Sequence, residues 1–469
     1  MTIRELRKQF IDGSYTPLMA FEHASNVLKE RDGEIHAFLH AYDDARTHAE
    51  EATKRYEKEG ENAPMLLGVP AAVKNNILIK GKPATAGSKI LENYIAPYDA
   101  TVIARLKESG PVFMGDTNLD EFALGSSTEN SAFGPTRNPH DTSRVPGGTS
   151  GGSAAAVAMG AAQFALGTDT GGSIRQPASF CGLVGIKPTY GAISRYGLIA
   201  SGSSLDQAGI LAQTVDDAEI VFDVVAGADP MDSTTITNET YPTVPLKNTY
   251  RIGIPRDFLR EGLDPGVLQQ FTATIDALVK DGHEIVDIEL PLFEKGLAAY
   301  YIVQPAELSS NLARYDGMRF GLRVPGKDLT DEYRKTRALG FGPEVKRRII
   351  LGTYVLSAGY YDAFYGKAEA VRRMMREELK TIFANVDLIM TPTAPTPAYK
   401  LGEKADPLSM YLGDIFTVPV SLTGVPAISL PHGTVTVEGK ELPVGMQYIA
   451  PWGGDKRLFD FGKKFHDRI

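Results

Sequence analysis

Two glycine-rich segments contain the hydroxyl groups that are best placed for chemistry in this sequence. The first reads GGTSGGS at residues 147–153, and the second reads GTDTGGSIR at residues 167–175. The second segment follows an apolar run and precedes a predicted helix, so Ser173 would lie at a strand–turn–helix junction. Backbone N–H groups are unpaired at such a junction and can stabilise a developing oxyanion. This environment is typical of a serine that attacks a carbonyl carbon.

A phosphate-binding or purely structural loop is the main alternative for these segments. Neither contains the G-x-x-x-x-G-K-[ST] or G-x-G-x-x-G pattern that cradles nucleotide phosphates. Residues 148–152 formally match G-x-S-x-G, but a triad built on that pattern needs an acid and a histidine downstream. His283 and His432 follow in the required order. On order alone, each is more often a structural or surface histidine than a catalytic base.

The two segments, together with the upstream run GVPAAVKNN at residues 68–76, resemble the amidase signature family. The resemblance implies that Ser173 is the nucleophile, Lys74 is the base and Thr149 is a bridging hydroxyl. An alcohol needs a base to take its proton, and no histidine lies in these motifs. A lysine can serve if burial lowers its pKa, and a bridging hydroxyl would carry the proton across the gap. Amide hydrolysis would then pass through an acyl-enzyme on Ser173.

The same resemblance assigns supporting roles around the nucleophile. The backbone N–H groups of Thr170, Gly171, Gly172 and Ser173 would form the oxyanion hole. Asp169 and Arg175 would order the turn by hydrogen bonds and an ion pair, whereas a solvated surface pair is the alternative. The single cysteine, Cys181, is predicted to be a small core residue, and Lys187 is interpreted as structural.

Two positions depart from the family pattern. Thr149 occupies the bridging position that is usually serine, which keeps the hydroxyl but stiffens χ1. Ser150 is adjacent and remains an alternative bridging hydroxyl. Asn75 follows the lysine where aspartate is common. Losing that carboxylate removes one influence that favours a protonated lysine, so neither departure predicts an inactive enzyme.

Further segments are similar to one branch of that family, the glutaminase components of tRNA-dependent amidotransferases. The resemblance implies that free glutamine is held by Tyr300, Arg348 and Asp414, with Tyr301 as an alternative to Tyr300. A guanidinium can bind an α-carboxylate bidentately, and a carboxylate can accept an α-ammonium. The segments that carry this similarity are Glu307–Arg319, Gly342–Thr353, Ser357–Ala363 and Asp406–Asp414.

The activity that this branch implies is hydrolysis of glutamine to glutamate and ammonia. The ammonia would pass to a B subunit that amidates Glu-tRNA(Gln) or Asp-tRNA(Asn) with ATP and magnesium, and a small C subunit would wrap the interface. The chain itself is expected to need no cofactor or metal and to contact charged tRNA through the B subunit. The alternatives are a stand-alone amidase of another carboxamide and a catalytically silent scaffold.

The amino-acid composition limits which of these interpretations are possible. The chain has 469 residues, of which 43% are hydrophobic and 23% charged, as expected for a globular protein. Its 49 basic and 58 acidic residues give a net charge of −9, which disfavours nucleic-acid binding by this chain alone. A charged N-terminus and a single cysteine predict a cytoplasmic protein without a signal peptide, an intrachain disulfide or a membrane span.

The elements that must position the motifs alternate short apolar runs with helical segments. This pattern predicts an α/β amidase signature fold, with a mixed central β-sheet covered by helices on both faces. Residues 1–65 are predicted as an N-terminal helical segment packed on the core, and residues 66–469 as the amidase signature domain. Strands are expected near 249–255, 283–290 and 386–390, helices near 267–280 and over most of 300–385, and a buried helix that runs into a strand at 153–167.

Overall fold

One mixed sheet organises the computed structural model, which describes residues 1–237, 239–259, 262–404 and 406–466. Within these residues the sheet has eleven strands in the order β1-β3-β2-β4-β6-β5-β10-β11-β9-β7-β8. The strands are β1 Phe38–Ala41, β2 Pro70–Lys74, β3 Val112–Thr117, β4 Phe164–Asp169, β5 Val184–Lys187, β6 Gln207–Ala212, β7 Arg251–Ile254, β8 Glu284–Asp287, β9 Leu388–Pro392, β10 Ala427–Val437 and β11 Lys440–Ile449.

Parallel and antiparallel pairs both occur in this sheet. Strand β2 runs parallel to β3 and β4, and β7 runs parallel to β8 and β9. The remaining neighbours, including the long β10–β11 hairpin, are antiparallel. The predicted mixed sheet flanked by helices is therefore confirmed.

The helices include the predicted helical stretch between residues 300 and 385, which is confirmed as α9 to α12. The last residues of the predicted amidase domain, 467–469, lie outside the described residues. The helices are α1 Ile3–Asp12, α2 Pro17–Ile35, α3 Ala45–Glu59, α4 Thr101–Ser109, α5 Gly151–Ala158, α6 Arg175–Cys181, α7 Val215–Val225, α8 Pro265–Lys280, α9 Gly296–Asn311, α10 Leu329–Gly340, α11 Pro343–Val355, α12 Lys367–Phe383, α13 Pro407–Leu412, α14 Val418–Thr423 and α15 Asp455–Phe465.

Small side chains allow the central helix and strands to pack closely in the buried core. Helix α5 has the sequence GGSAAAVA, and its small side chains let it approach β2 and β4 closely. Every residue of β2 and of β4 is buried, as expected for strands covered on both faces. The predicted buried helix followed by a strand at 153–167 is thus confirmed.

The first 65 residues contribute a strand as well as three helices. Strand β1 pairs antiparallel with β3 at the edge of the sheet. Ile3, Leu6 and Phe10 of α1 belong to the same buried hydrophobic cluster as the sheet residues. The helical periodicity of this segment predicted its helices but not strand β1. No helix in the described part of the chain is long and apolar enough to cross a membrane.

Candidate active site

The ends of two parallel strands bring the predicted catalytic segments together. Lys74 is the last residue of β2, and its neighbour β4 ends at Asp169. The turn that follows β4 carries Ser173 and leads into α6, while Thr149 lies just before α5. Because the carboxyl ends of parallel strands meet at one edge, these residues share a site at that edge.

Lys74 is fully buried and is surrounded by hydroxyl groups. Its Nζ lies 2.8 Å from Thr149 Oγ1, 2.9 Å from Ser150 Oγ and 2.9 Å from Thr168 Oγ1. Burial lowers the pKa of Lys74 to about 7, and the carboxylates of Asp120 and Asp169 oppose this only in part. A large fraction of the amine is therefore neutral near neutral pH and can accept a proton.

The two neighbouring hydroxyls, Thr149 and Ser150, differ in their remaining bonds. Ser150 Oγ donates to the Thr168 carbonyl at 3.0 Å and accepts from the Thr168 N–H at 3.3 Å, in addition to its bond with Lys74. Its bonding capacity is then filled. Thr149 Oγ1 contacts Lys74 and no other polar group in the described part of the chain. This geometry favours Thr149 as the bridging hydroxyl.

Ser173 lies beside the first glycine-rich segment. A Cβ built on Gly148 would fall 3.1 Å from Ser173 Cα, which shows how closely the two backbones approach. Thr149 is the next residue after this close approach. Ser173 retains 9% exposure, and its Oγ has no hydrogen-bond partner among the described residues. The hydroxyl is therefore unpaired among the described residues, and it makes no hydrogen bond to Thr149 in this structure.

The turn after β4 offers three free amides. Among the described residues, the N–H groups of Thr170, Gly171 and Ser173 meet no acceptor. The N–H of Gly172 is different, because it donates to Asp169 Oδ1 at 2.8 Å. Of the four amides predicted from the sequence to form an oxyanion hole, Gly172 is therefore already paired in this structure. Gly172 has φ +137°, a conformation that side chains bearing Cβ disfavour.

Asp169 and Arg175 form a fully buried ion pair instead of a surface pair. Arg175 donates to Asp169 from Nε at 3.0 Å and from Nη2 at 2.9 Å. Although burial disfavours a charged Asp169, the guanidinium lowers the pKa of that carboxyl below its usual value. Arg175 Nη1 also donates to the Thr417 carbonyl and to Gln447 Oε1. The pair therefore anchors the nucleophile turn to α14 and β11.

Arg348 is buried on α11 with one nitrogen unused. Its Nε donates to Glu344 Oε1 at 2.7 Å, and its Nη1 donates to Gln304 Oε1 at 3.1 Å. Its Nη2 is buried without a partner in the described part of the chain. The guanidinium also lies over the rings of Tyr301 and Tyr411, 5.1 and 5.3 Å from their centroids. A fixed guanidinium with a free donor is suited to an anionic ligand.

Tyr300 and Asp414 complete the predicted substrate set. A Cβ built on Gly171 would lie 2.8 Å from the Tyr300 hydroxyl, so this ring covers the nucleophile turn. Asp414 Oδ1 accepts from Ser126 Oγ at 2.8 Å and from Gln176 Nε2 at 2.9 Å.

Electrostatics links these side chains. Burial raises the pKa of Asp414 to about 7, opposed in part by the Ser126 hydrogen bond and by Arg348. Burial also raises the pKa of Tyr300. The nearby Arg348 partly opposes this increase, and Asp414 adds to it. Tyr300, Arg348 and Asp414 therefore lie in one site next to Ser173.

The two histidines considered as alternative bases lie elsewhere, whereas Lys187 is near Asp169 and Arg175, and burial lowers its pKa to about 7. His283 Nδ1 accepts the Tyr250 N–H at 3.0 Å, and His432 contacts the Tyr448 hydroxyl, both away from the two glycine-rich segments. Burial raises the pKa of the Cys181 thiol, as expected for an inert core cysteine. Lys187 is buried and donates to the adjacent Pro188 carbonyl.

No group of three or more His, Cys, Asp or Glu in the described residues is arranged to hold a metal ion.

Several residues of the site were not predicted from the sequence. They share a supporting role, since each bonds a predicted site residue and fixes its orientation. Gln176 directly follows the second motif and could have been included by proximity, whereas the others lie in segments without a local signal. They are Ser126, Thr168, Gln176, Gln304, Glu344 and Thr417.

Comparison with known sequences agrees with this geometry. The amidase family model matches residues 23–459. The A subunit of the glutamyl-tRNA(Gln) amidotransferase of Koribacter versatilis is 53% identical over 457 residues, covering 96% of this chain and 94% of that protein. The protein of the same name from Trichormus variabilis is 48% identical over 457 residues, covering 96% and 93%.

Solved structures give the same result. The A subunit of the glutamyl-tRNA(Gln) amidotransferase from Thermotoga maritima has a TM-score of 0.79 at 39% identity, covering 99% of this chain and 94% of that one. A structure described as an amidase has a TM-score of 0.84 at 31% identity, and both chains are covered completely. The family match spans most of the chain and includes all three predicted catalytic residues. This chain therefore belongs to the amidase family.

Proposed function

We propose that this protein is the glutaminase component of a tRNA-dependent amidotransferase, which hydrolyses glutamine to glutamate and ammonia. The observation that carries the proposal is the unused Nη2 of buried Arg348, in the same site as Asp414 and Ser173. A buried donor without a partner is unfavourable unless a ligand supplies the acceptor. The names of relatives that cover almost the whole chain support the same assignment.

The two charges of a free amino acid complement the charges of this site. Its α-carboxylate can accept hydrogen bonds from Arg348, and its α-ammonium can pair with the ionised carboxylate of Asp414. Tyr300 lies against Gly171, two residues before Ser173, and so covers one side of this turn. A substrate with both charges at one end and a carboxamide at the other would satisfy each group at once.

Acylation begins when Lys74, as the neutral amine, accepts the proton of Thr149 while Thr149 takes the proton of Ser173. Two N–H bonds of that amine remain for Ser150 and Thr168, so its lone pair is directed at Thr149. Ser173 Oγ bonds to the carboxamide carbon, and the carbonyl electrons move to oxygen. The free amides of the turn would stabilise this oxyanion.

Collapse of the tetrahedral intermediate breaks the carbon–nitrogen bond. The proton held on Lys74 returns through Thr149 to the leaving nitrogen, and ammonia departs. A γ-glutamyl ester remains on Ser173. A water molecule then gives its proton to the same relay and attacks the ester, which releases glutamate and restores the serine.

The ammonia would be consumed in a larger assembly in the cytoplasm. A B subunit would use ATP and magnesium to activate Glu-tRNA(Gln) or Asp-tRNA(Asn) and would transfer the ammonia to it, while a small C subunit would hold the two together. The net charge of −9 supports leaving most tRNA contact to that partner. The chain's own part of the reaction uses only side chains and backbone amides.

The test is ammonia release from glutamine, asparagine and propionamide, measured with and without the B and C subunits. We expect glutamine to be preferred by at least about 100-fold, the partners to raise the rate, and Ser173→Ala to abolish it. Equal turnover of unrelated amides without partners would instead identify a stand-alone amidase. No release from any amide, with the partners bound, would identify a scaffold.

A matched pair of variants on α11 tests glutamine recognition. Truncating one member of a buried charged pair costs about 2–5 kcal/mol, so Arg348→Ala should lower kcat/KM for glutamine by roughly 100-fold, mainly through KM. Lys346 lies two residues earlier, and its side chain donates to the Ala338 carbonyl and to no other described residue. Lys346→Ala should leave kcat/KM unchanged within about twofold. Equal losses in both variants would argue against a binding role for Arg348.

A further inference from the structure

Thr417 contacts both glycines of the nucleophile turn, although it lies about 240 residues further along the chain. Its Oγ1 donates to the Gly171 carbonyl at 2.7 Å, and the residue is fully buried. A Cβ built on Gly172 would lie 2.2 Å from the same oxygen, so the hydroxyl occupies the space that a side chain would need. The Thr417 carbonyl accepts from Arg175 Nη1 at 3.0 Å. Thr417 is thus bonded to the turn through its hydroxyl and, through its carbonyl, to Arg175 at the start of α6.

These contacts fix the peptide plane between Gly171 and Gly172. The carbonyl of Gly171 and the N–H of Gly172 belong to one planar trans unit and point in opposite directions. Thr417 holds the carbonyl at 2.7 Å, and Asp169 Oδ1 holds the N–H at 2.8 Å. The plane is therefore clamped on both sides and cannot rotate without breaking a buried hydrogen bond.

The clamped peptide lies between two amides that we assign to the oxyanion. The N–H of Gly171 precedes it and the N–H of Ser173 follows it, so their directions depend on its orientation. A displacement of this clamped unit would move the two flanking donors relative to the developing negative charge. Preorganised donors act mainly on the transition state, where the charge develops.

We propose that Thr417 is a positioning residue that holds the oxyanion turn in its productive orientation. It acts through the Gly171 carbonyl and does not itself contact the carboxamide. The proposal rests on the serine chemistry of the proposed function, but it does not depend on glutamine being the substrate. Its signature is a loss in kcat with little change in KM. The Thr417 hydroxyl also donates to the backbone carbonyl of Asp414 at 3.2 Å, but among the described residues it bonds none of the side chains assigned to substrate binding.

The first test compares Thr417→Val with Thr417→Ser. Valine keeps the shape but removes the hydroxyl, and serine keeps the hydroxyl. With the assembled enzyme and glutamine, we expect Thr417→Val to lower kcat by at least about 10-fold, because loss of a complete oxyanion donor costs roughly 100-fold or more. KM should stay within about twofold, and Thr417→Ser should recover kcat to within about threefold.

Thr423 provides a matched control at the end of α14. It is also fully buried, and its hydroxyl donates to the Pro419 carbonyl at 2.9 Å inside its own helix. Thr423→Val should cause a similar loss of thermal stability with no change in kcat. If both valine variants lose kcat to the same extent, or if Thr417→Val raises KM in proportion, Thr417 is structural and the proposal is wrong.

A second readout separates this inference from the identity of the substrate. A fluorophosphonate reacts with an activated serine: Ser173 Oγ bonds to phosphorus, fluoride leaves, and a phosphoryl oxygen occupies the oxyanion site. Intact-mass spectrometry of the chain should show labelling slowed at least about 10-fold in Thr417→Val and unchanged in Thr423→Val. Equal labelling rates in the two valine variants would overturn the proposal. Failure of glutamine hydrolysis in every variant would count against the proposed function alone.

Discussion

Lys74 and Asp414 have unusual pKa values for the same reason, which is burial. Burial lowers the pKa of Lys74 to about 7 and raises the pKa of Asp414 to about 7. In the proposed mechanism the base works as the neutral amine, and the substrate ammonium needs the charged carboxylate. Both working forms require loss of a proton, so both are gained as pH rises through about 7 and are lost together below it.

We therefore expect the logarithm of kcat/KM for glutamine to fall with a slope of about two per pH unit at low pH. This parameter reports the free enzyme, in which both groups titrate. Asp414→Asn removes one titration, so its remaining activity should fall with a slope of about one. The measurement is a pH profile of ammonia release for both proteins. A slope that is the same in both would contradict the role of Asp414.

The bridging hydroxyl can be tested by a three-variant comparison. Thr149→Val removes the proton relay and should lower kcat by about 100- to 10,000-fold, the usual range for general acid–base catalysis. Thr149→Ser should stay within about 10-fold of the wild type. Ser150→Ala removes one partner that orients Lys74 and should have an intermediate effect. An active Thr149→Val with an inactive Ser150→Ala would reverse the assignment.

Ser173 and Lys74 lie in contiguous motifs, so sequence alone could single them out as candidates. Sequence alone could not choose between Thr149 and Ser150, because the two hydroxyls are adjacent in the chain. In the structure both lie within hydrogen-bonding distance of Lys74 Nζ. The choice depends on the Thr168 backbone, which fills the bonding capacity of Ser150. A contact of this kind is made by the fold, and no local pattern indicates it.

At the scale of the elements, the turn between β4 and α6 is held by the buried pair of Asp169 and Arg175. Removing one partner leaves an uncompensated buried charge, which costs about 3–5 kcal/mol. Arg175→Met should lower the free energy of unfolding by this amount in urea titrations. Arg256 pairs with Asp287 at the surface, where both side chains are more than half exposed. The control Arg256→Met should cost less than about 1 kcal/mol.

Equal losses in the two variants would mean that Arg175 is not essential to the turn. The prediction is sharp because Arg175 also bonds Gln447 and the Thr417 carbonyl, so its removal frees groups on β11 and next to α14 as well. A buried charge with several fixed partners is the arrangement in which truncation is most costly.

The helical pattern of residues 300–385 predicted α11 but not which basic side chain points inward. Lys346, Arg347 and Arg348 are consecutive, and positions one apart lie on different helix faces. In the structure only Arg348 of these three is buried. Its inward orientation follows from packing against Tyr301 and from the bond to Gln304, both on α9. Helix periodicity could not supply a partner on another helix.

At the scale of the whole molecule, the predicted N-terminal segment is joined to the main body by a strand and by a shared core. Strand β1 caps β3, and α1 buries Ile3, Leu6 and Phe10 in the main cluster. We expect residues 66–469 expressed alone to be insoluble or to lack cooperative unfolding, because β3 would become an open edge. Circular dichroism and thermal unfolding would measure this.

The control is co-expression of residues 1–65 with residues 66–469, which should restore solubility and ammonia release if the two parts assemble. A well-folded, active fragment 66–469 would instead show that the N-terminal segment is an independent appendage. The sequence predicted a mixed sheet from the rhythm of apolar runs, but not the strand order. That order depends on pairings such as β5 with β10, which lie far apart along the chain.

The strand order also determines when during synthesis the enzyme can become active. Strand β5 pairs with β10, and Arg175 bonds Gln447, which is 272 residues later in the chain. A ribosome must therefore release almost the entire polypeptide before the nucleophile turn gains its anchors. Until then β5 presents an unpaired edge, and such edges are prone to non-native pairing. An incomplete chain would therefore lack the anchored turn that the proposed glutamine hydrolysis requires.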